Sequence, residues 1–364
     1  MKKFFPTQPI LLLLTLPFTI GITPEIPVNH HSSSTVFAQE IELEKNNLLG
    51  DNWQIFHRLQ GHKSAIKSLA FTADSTVLFS GGSTSEPWIR LWQVSRGIEL
   101  NSARDHRTAI NSLEISPDGK ILATSAADGG MSIWSLENGQ LQRMFVSHDS
   151  NVLSLAITPD SKKLVSGGLD GIKVWDLTTL RPYYTLARFG YSTYDLAIHP
   201  NGNLLASSHG NGRISFWNIL TGQKISEMRA HSEIVRAVTF TPDGRFMITG
   251  SDDRTVKVWD AVTNRLVYVL RGHPDQIRAI AVHPNGKIIA SGSYDGVRLW
   301  NLDTGRLITR LDGHTDWVNS LAFSPDGNVL ATGGFDEVIN LWQIAPVENS
   351  DEKLAERSLT FSFE

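Results

Sequence analysis

From Ile66 onward the chain repeats one arrangement of apolar and polar positions seven times. An apolar residue opens each unit at Ile66, Ile110, Val152, Thr193, Val235, Ile277 and Val318, with Thr193 the one departure. A second follows at Leu69, Leu113, Leu155, Leu196, Val238, Ile280 and Leu321. Then comes a turn signature: SPDG from Ser116 and Ser324, TPDG from Thr241, HPNG from His199 and His283, with TADS from Thr72 and TPDS from Thr158 as weaker forms. Pro presets φ at the first corner, Asp or Asn bonds its own backbone, and Gly takes the left-handed exit. Each unit ends in a β-like run closed by tryptophan, at Trp92, Trp134, Trp175, Trp217, Trp259, Trp300 and Trp342, spaced by 41 or 42 residues. Short β-rich runs between regular turns, without a helical period, predict four-stranded units that bury both faces against their neighbours.

A further marker precedes each tryptophan by 27 to 30 residues: His62, His106, His148, His231, His273 and His314, the fourth unit lacking it. A period near 42 with a Gly-His to Trp-Asp rhythm resembles the WD-repeat family over about Trp53 to Ile344. Complete pairs are few, Gly-His at His62, His273 and His314 and Trp-Asp at Trp175-Asp176 and Trp259-Asp260, so the register carries the likeness. The resemblance implies an all-β, seven-bladed propeller of four-stranded antiparallel blades forming one domain, 53–346. After Trp342 the chain meets Pro346 and an acidic stretch, leaving the seventh unit without an outer strand. The segment Trp53 to Leu59 is placed to supply it and to close the ring, which removes exposed sheet edges.

The first residues read as a targeting segment. Lys2 and Lys3 precede an apolar stretch from Ile10 to Ile22, which Pro17 interrupts and which is too short to span a bilayer. A signal peptide over 1–38 is expected, cut after Ala38, then a linker over 39–52 and a C-terminal tail over 347–364. The product is expected to be a monomeric ring, exported to a periplasmic or secreted location, with no membrane insertion after cleavage. Cys is absent, which excludes a disulfide framework. Net charge is −4 with no long basic run, which argues against a nucleic-acid partner.

The family resemblance assigns many polar residues to the scaffold. It implies a hydrogen-bonded group in each blade made of the histidine, a turn acid, a strand hydroxyl and the tryptophan indole. The expected turn acids are Asp128, Asp170, Asp253, Asp295 and Asp336, and the expected hydroxyls are Ser80, Thr124, Ser166, Ser207, Thr249, Ser291 and Thr332. A Ser-His-Asp triad would need one convergent set, whereas these recur around a ring, so no catalytic residue is expected. No metal site and no cofactor are expected either, since histidines do not fall at short ligand spacing. In the fourth unit Phe189 stands at the histidine position and Asn211 at the acid position, so its polar group is expected to be lost as a whole. The first unit has Glu86 near the acid position and two extra residues in a loop with Pro87 and Trp88, expected as a surface insertion.

The family resemblance also implies that partners sit on the face where the inner strands begin. Positions three and five after the histidine vary there, from Ala65 and Lys67 in the first unit to Trp317 and Asn319 in the last. Large aromatics and arginine make interface anchors, and Tyr194, Arg236, Arg278, Tyr294, Trp317 and Phe335 fall in units four to seven. The expected function is a non-catalytic scaffold that binds a protein or peptide through this arc. The alternatives are a hydrolase at the channel mouth, for which His209 and Asp195 are scattered candidates, and a glycan or small-ligand receptor using Trp88 and Trp317.

Overall fold

The computed structural model describes residues 52–146, 148–188 and 192–344. The expected leader, the linker up to residue 51, the tail and Phe189 lie outside the described residues. Seven four-stranded antiparallel sheets follow one another along the chain. Each blade takes its strands in sequence order from the channel outward, as in Ile66–Phe71, Val77–Gly82, Trp88–Gln93 and Ile98–Arg104 of the first. The seventh instead joins Trp53–Gln60 to the outer side of Val338–Ile344. Trp53 pairs with Ile344 and Gln60 with Val338, while Arg58 reaches Asn340 Oδ1 at 3.1 Å and the Gly313 carbonyl at 3.2 Å. Ring closure is thus made by the first and last strands among the described residues, as the missing outer strand requires.

Burial explains the repeated pattern. Second strands such as Val77–Gly82 and Ile288–Ser293 are buried nearly throughout, and outer strands such as Lys224–Arg229 are mostly exposed. The second strands are therefore built of apolar and small residues around a Ser or Thr, because neighbouring blades cover both of their faces. The core is accordingly a set of layers between blades. Phe79, Ile89 and Leu91 of the first blade pack on Ile110, Leu122 and Trp134 of the second, each apolar side chain contributing roughly 1.5–3 kcal/mol by burial. Blades approach closely at glycines such as Gly81 and Gly333, where a Cβ would stand 2.8 Å from Ile110 Cγ2 and 2.6 Å from Ile66 Cγ2. A side chain there would force the blades apart.

The turns on the far face also join blades, TADS and TPDS included. Ser75 and Ser161 sit at φ of 62° and 59°, and their hydroxyls accept from Asp326 N and Asp118 N of adjacent blades, each at 3.1 Å. His199 and His283 of the HPNG turns donate from Nε2 to the Gly244 and Gly327 carbonyls at 3.0 and 2.9 Å. Among the described residues no helix is long and apolar enough to cross a membrane.

Candidate functional site

The polar group of each blade decides which side chains are committed to structure. In blades three, five, six and seven the histidine Nδ1 donates to Asp170, Asp253, Asp295 and Asp336 at 2.5 to 2.9 Å. Its Nε2 accepts from Ser166, Thr249, Ser291 and Thr332, whose oxygens in turn accept the tryptophan indole N–H. Burial lowers the pKa of His148, His231 and His273 against the opposing pull of their aspartates. The hydroxyls are already used twice, so the repeated Ser-His-Asp sets form brackets between strands.

Three blades depart, each for a visible reason. In the second blade Asp128 only caps the Gly130 N–H, at 3.0 Å, and is not the partner of His106. Asp105 replaces it from the other side: its buried carboxylate accepts from Thr124 and the Trp134 indole on Oδ2 and from Ser132 on Oδ1, at 2.8 to 3.2 Å. With the Thr124 proton directed to Asp105, His106 must donate from Nε2 to Thr124, the reverse of the other tautomer.

In the fourth blade the group is substituted and not lost. His209 fills it from the second strand: Nε2 lies 3.1 Å from Ser207 Oγ and from Ser215 Oγ, Nδ1 donates to the Ser192 carbonyl, and Trp217 donates to Ser207. The matching positions are Gly82, Ala126, Gly168, Ser251, Ser293 and Gly334, all small. A Cβ at Gly82 or Gly334 would stand 3.1 Å from the ring of His62 or His314, so a large residue fits only where no histidine enters from the loop.

In the first blade the insertion turns inward. Glu86 is buried and accepts from Lys63 N and Arg90 Nη2, both at 2.5 Å, and Trp88 begins a strand, half-buried, opposite Arg104. The hydrolase candidate Asp195 is likewise a tie between blades. It accepts from Val238 N at 2.9 Å and Ser154 Oγ at 2.8 Å, extending a series in which Ser68 accepts from Leu113 N and Ser154 from Leu196 N.

The channel opens on the histidine face through a mouth of about 200 Å³ lined by Lys67, Asn111, Leu153, Tyr194, Arg236, Arg278 and Asn319. These are the residues five after each histidine position, one per blade. Asn111 and Asn319 donate to the Val152 and Ile66 carbonyls of adjacent blades, and Arg236 is held by Asp252 through two bonds of 2.7 and 2.8 Å.

Of the six anchors read from the sequence, the structure joins four tightly. Arg278 lies 4.2 Å above the Trp317 ring centroid and 5.4 Å from that of Phe335, while Tyr294 meets Trp317 edge-on at 5.5 Å. Tyr194 and Arg236 form a second contact, 5.6 Å, farther round the mouth. Tyr294 and Phe335 are 52% and 37% exposed, whereas Trp317 and Tyr194 are half-buried. One residue joins the arc that the sequence reading omitted. Lys67 of the first blade stands 5.1 Å over Phe335 because ring closure sets the first blade beside the seventh. A cavity of about 1150 Å³ lies elsewhere, on the open flank of the second blade between Arg104 and Val146.

Among known proteins, the family described as WD domain, G-beta repeat matches residues 53–93, 183–218, 222–260, 264–301 and 305–343, more than half of the chain. The family described as Anaphase-promoting complex subunit 4 WD40 domain matches 86–160. Similar curated proteins include apoptotic protease-activating factor 1 of Homo sapiens, 28% identical over 173 residues, 47% of this chain and 14% of that one. Autophagy-related protein 16 of Arabidopsis thaliana is 24% identical over 51% of this chain and 36% of its own length. Eukaryotic translation initiation factor 3 subunit I of Aspergillus niger is 28% identical over 22% and 24%. The aligned stretch thus spans well under two thirds of each relative. With seven sheets in a closed ring and the matched repeats in register with them, this chain belongs to the WD domain, G-beta repeat family.

Proposed function

We propose that the chain is a non-catalytic interaction scaffold of an extracytoplasmic compartment, binding a protein or peptide over the channel mouth. The observation that carries this reading is the cluster of Arg278, Tyr294, Trp317 and Phe335 on the histidine face, beside positions that elsewhere tie blade to blade. Aromatic rings with a guanidinium at their centre are the side chains that anchor protein interfaces. The family favours this reading, and relatives whose names mark them as subunits of larger assemblies agree with it. The hydrolase alternative loses its candidates, since Asp195 ties blades and His209 fills a structural group. The glycan alternative loses Trp88, which lies in a strand.

Export rests on the sequence: two lysines, an apolar stretch from Ile10 to Ile22, and a small residue at Ala38. Expression in a bacterial host followed by fractionation and N-terminal sequencing tests it, with Gln39 as the expected first residue outside the cytoplasm. For the interaction, partners recovered with the native chain are compared with those of a folded Trp317→Ala, Arg278→Ala double variant. Loss of those partners is the expected result. Recovery of the full set by the variant overturns the assignment of this face.

A further inference from the structure

We infer that the channel mouth receives one carboxylate side chain of an extended partner segment, seated between Lys67 and Arg278, with the apolar neighbours of that side chain resting on Tyr294, Trp317 and Phe335. This deepens the interaction reading above and rests on it.

The seven residues around the mouth include three cations and no acid, in a chain whose net charge is −4. Arg236 is neutralised by Asp252, but neither Lys67 nor Arg278 has an acid within ion-pair distance among the described residues. Their charges oppose one another and are half-buried, an arrangement that an incoming anion relieves. Both lie over the same Phe335 ring, at 5.1 and 5.4 Å, so both face one space. The Arg278 Nε is buried without a hydrogen-bond partner, so no acceptor at that atom holds the guanidinium. A guanidinium fork matches a carboxylate bidentately, and a neighbouring ammonium adds a third donor.

Size and nearby charge narrow the ligand. About 200 Å³ is below the usual volume of a small-molecule site and suits one side chain, not a folded element. Asp275 and Asp316 on the rim attract Arg278 without pairing to it, each instead accepting the N–H of the next residue. Their charge limits how much anion the mouth accepts, which favours a single carboxylate over a doubly charged phosphate. The described chain ends at Ile344, paired with Trp53 at the far end of a strand whose Val338 end adjoins Asp336 on the mouth side. The occupant proposed is a segment of a separate partner, chosen for its charge: among the described residues the mouth offers two unpaired cations and no acid.

A random short-peptide display library panned against the full chain, followed by fluorescence anisotropy on a selected peptide, tests this. The expected result is Asp or Glu at one fixed position beside apolar residues. Changing that residue to Asn or Gln weakens binding roughly tenfold to hundredfold, and raising salt from about 50 to about 300 mM weakens it as well. The peptide substitution is read on the unaltered chain, so it does not depend on a variant folding. Lys67→Met with Arg278→Met should abolish the preference for the acid. Selected peptides that need Trp317 but show no acidic position, or carry a basic one, overturn the carboxylate and leave the interaction face standing. Peptides indifferent to Trp317→Ala and Arg278→Ala overturn the interaction face itself.

Discussion

Arg278 holds its guanidinium carbon 4.2 Å from the centroid of the Trp317 ring, and Tyr294 meets the same ring edge-on at 62°. The tryptophan is thereby fixed from two sides before any partner arrives, which lowers the entropy lost on binding. The contact is half-buried, so a double-mutant cycle of Arg278→Ala and Trp317→Ala in urea unfolding should give a coupling of about 0.5–1 kcal/mol. A coupling indistinguishable from zero would show that Tyr294 and the backbone alone place the ring.

Asp105 and Asp128 make a sharper contrast. Removing the Asp105 carboxylate leaves Thr124, Ser132 and the Trp134 indole without their acceptor inside the blade, whereas Asp128 caps one exposed turn. Asp105→Ala should therefore cost roughly 3 kcal/mol or more, and Asp128→Ala under about 1 kcal/mol, by denaturant midpoint. The reverse order would return Asp128 to the role the family pattern implies. Nitrogen-15 spectra give an independent check: His106 should carry its proton on Nε2, and His148, His231, His273 and His314 on Nδ1.

How much of this was legible follows from what periodicity can record. Seven tryptophans in register determine the blades, and the missing outer strand after Trp342 pointed to Trp53–Gln60. The same periodicity points to Asp128 for the acid of the second blade, because Asp128 holds the repeated turn position, whereas Asp105 enters the group from beside His106 and only geometry shows it. His209 did leave a signal: a histidine appears two residues after Ser207 in the one repeat that lacks the loop histidine. Lys67 leaves no such signal, since it stands at the opposite end of the sequence from Phe335 and only ring closure makes them neighbours.

His62 should make the first blade acid-sensitive. Burial first, then the charge of Arg90, pushes its pKa from 6.5 down to about 4 against the opposing pull of Glu86. The folded chain therefore binds fewer protons than the unfolded chain below pH 6.5. The stability this histidine contributes is complete above about 6.5, is lost as pH falls toward 4, and changes no further below that. The loss is on the order of 2–3 kcal/mol. His148, His231 and His273 are lowered too and add to the same slope. Unfolding free energies measured from pH 7.5 to 4 should fall less steeply in His62→Gln; an unchanged slope would assign the loss to the other blades.

Glu114 should act in the opposite direction. It lines the central channel where the other blades place Ala70, Ala156, Ala197, Thr239, Ala281 and Ala322, and Asp195 lines the same cavity. Burial, then the charge of Asp195, raises its pKa from 4.5 to about 8, and burial raises Asp195 to about 6 despite the bonds from Val238 and Ser154. Here the folded chain holds the proton that the unfolded chain releases. Stability is complete below about 4.5 and is lost as pH climbs to about 8. Glu114→Gln keeps the shape and removes the charge, so it should stabilise the ring by about 1–3 kcal/mol at pH 8 and hardly at all at pH 4.5. An equal gain at both pH values would mean that packing, not charge, is what the carboxyl costs. No gain at either would mean that channel water already solvates it, and that the interior of the ring is wetter than its lining suggests.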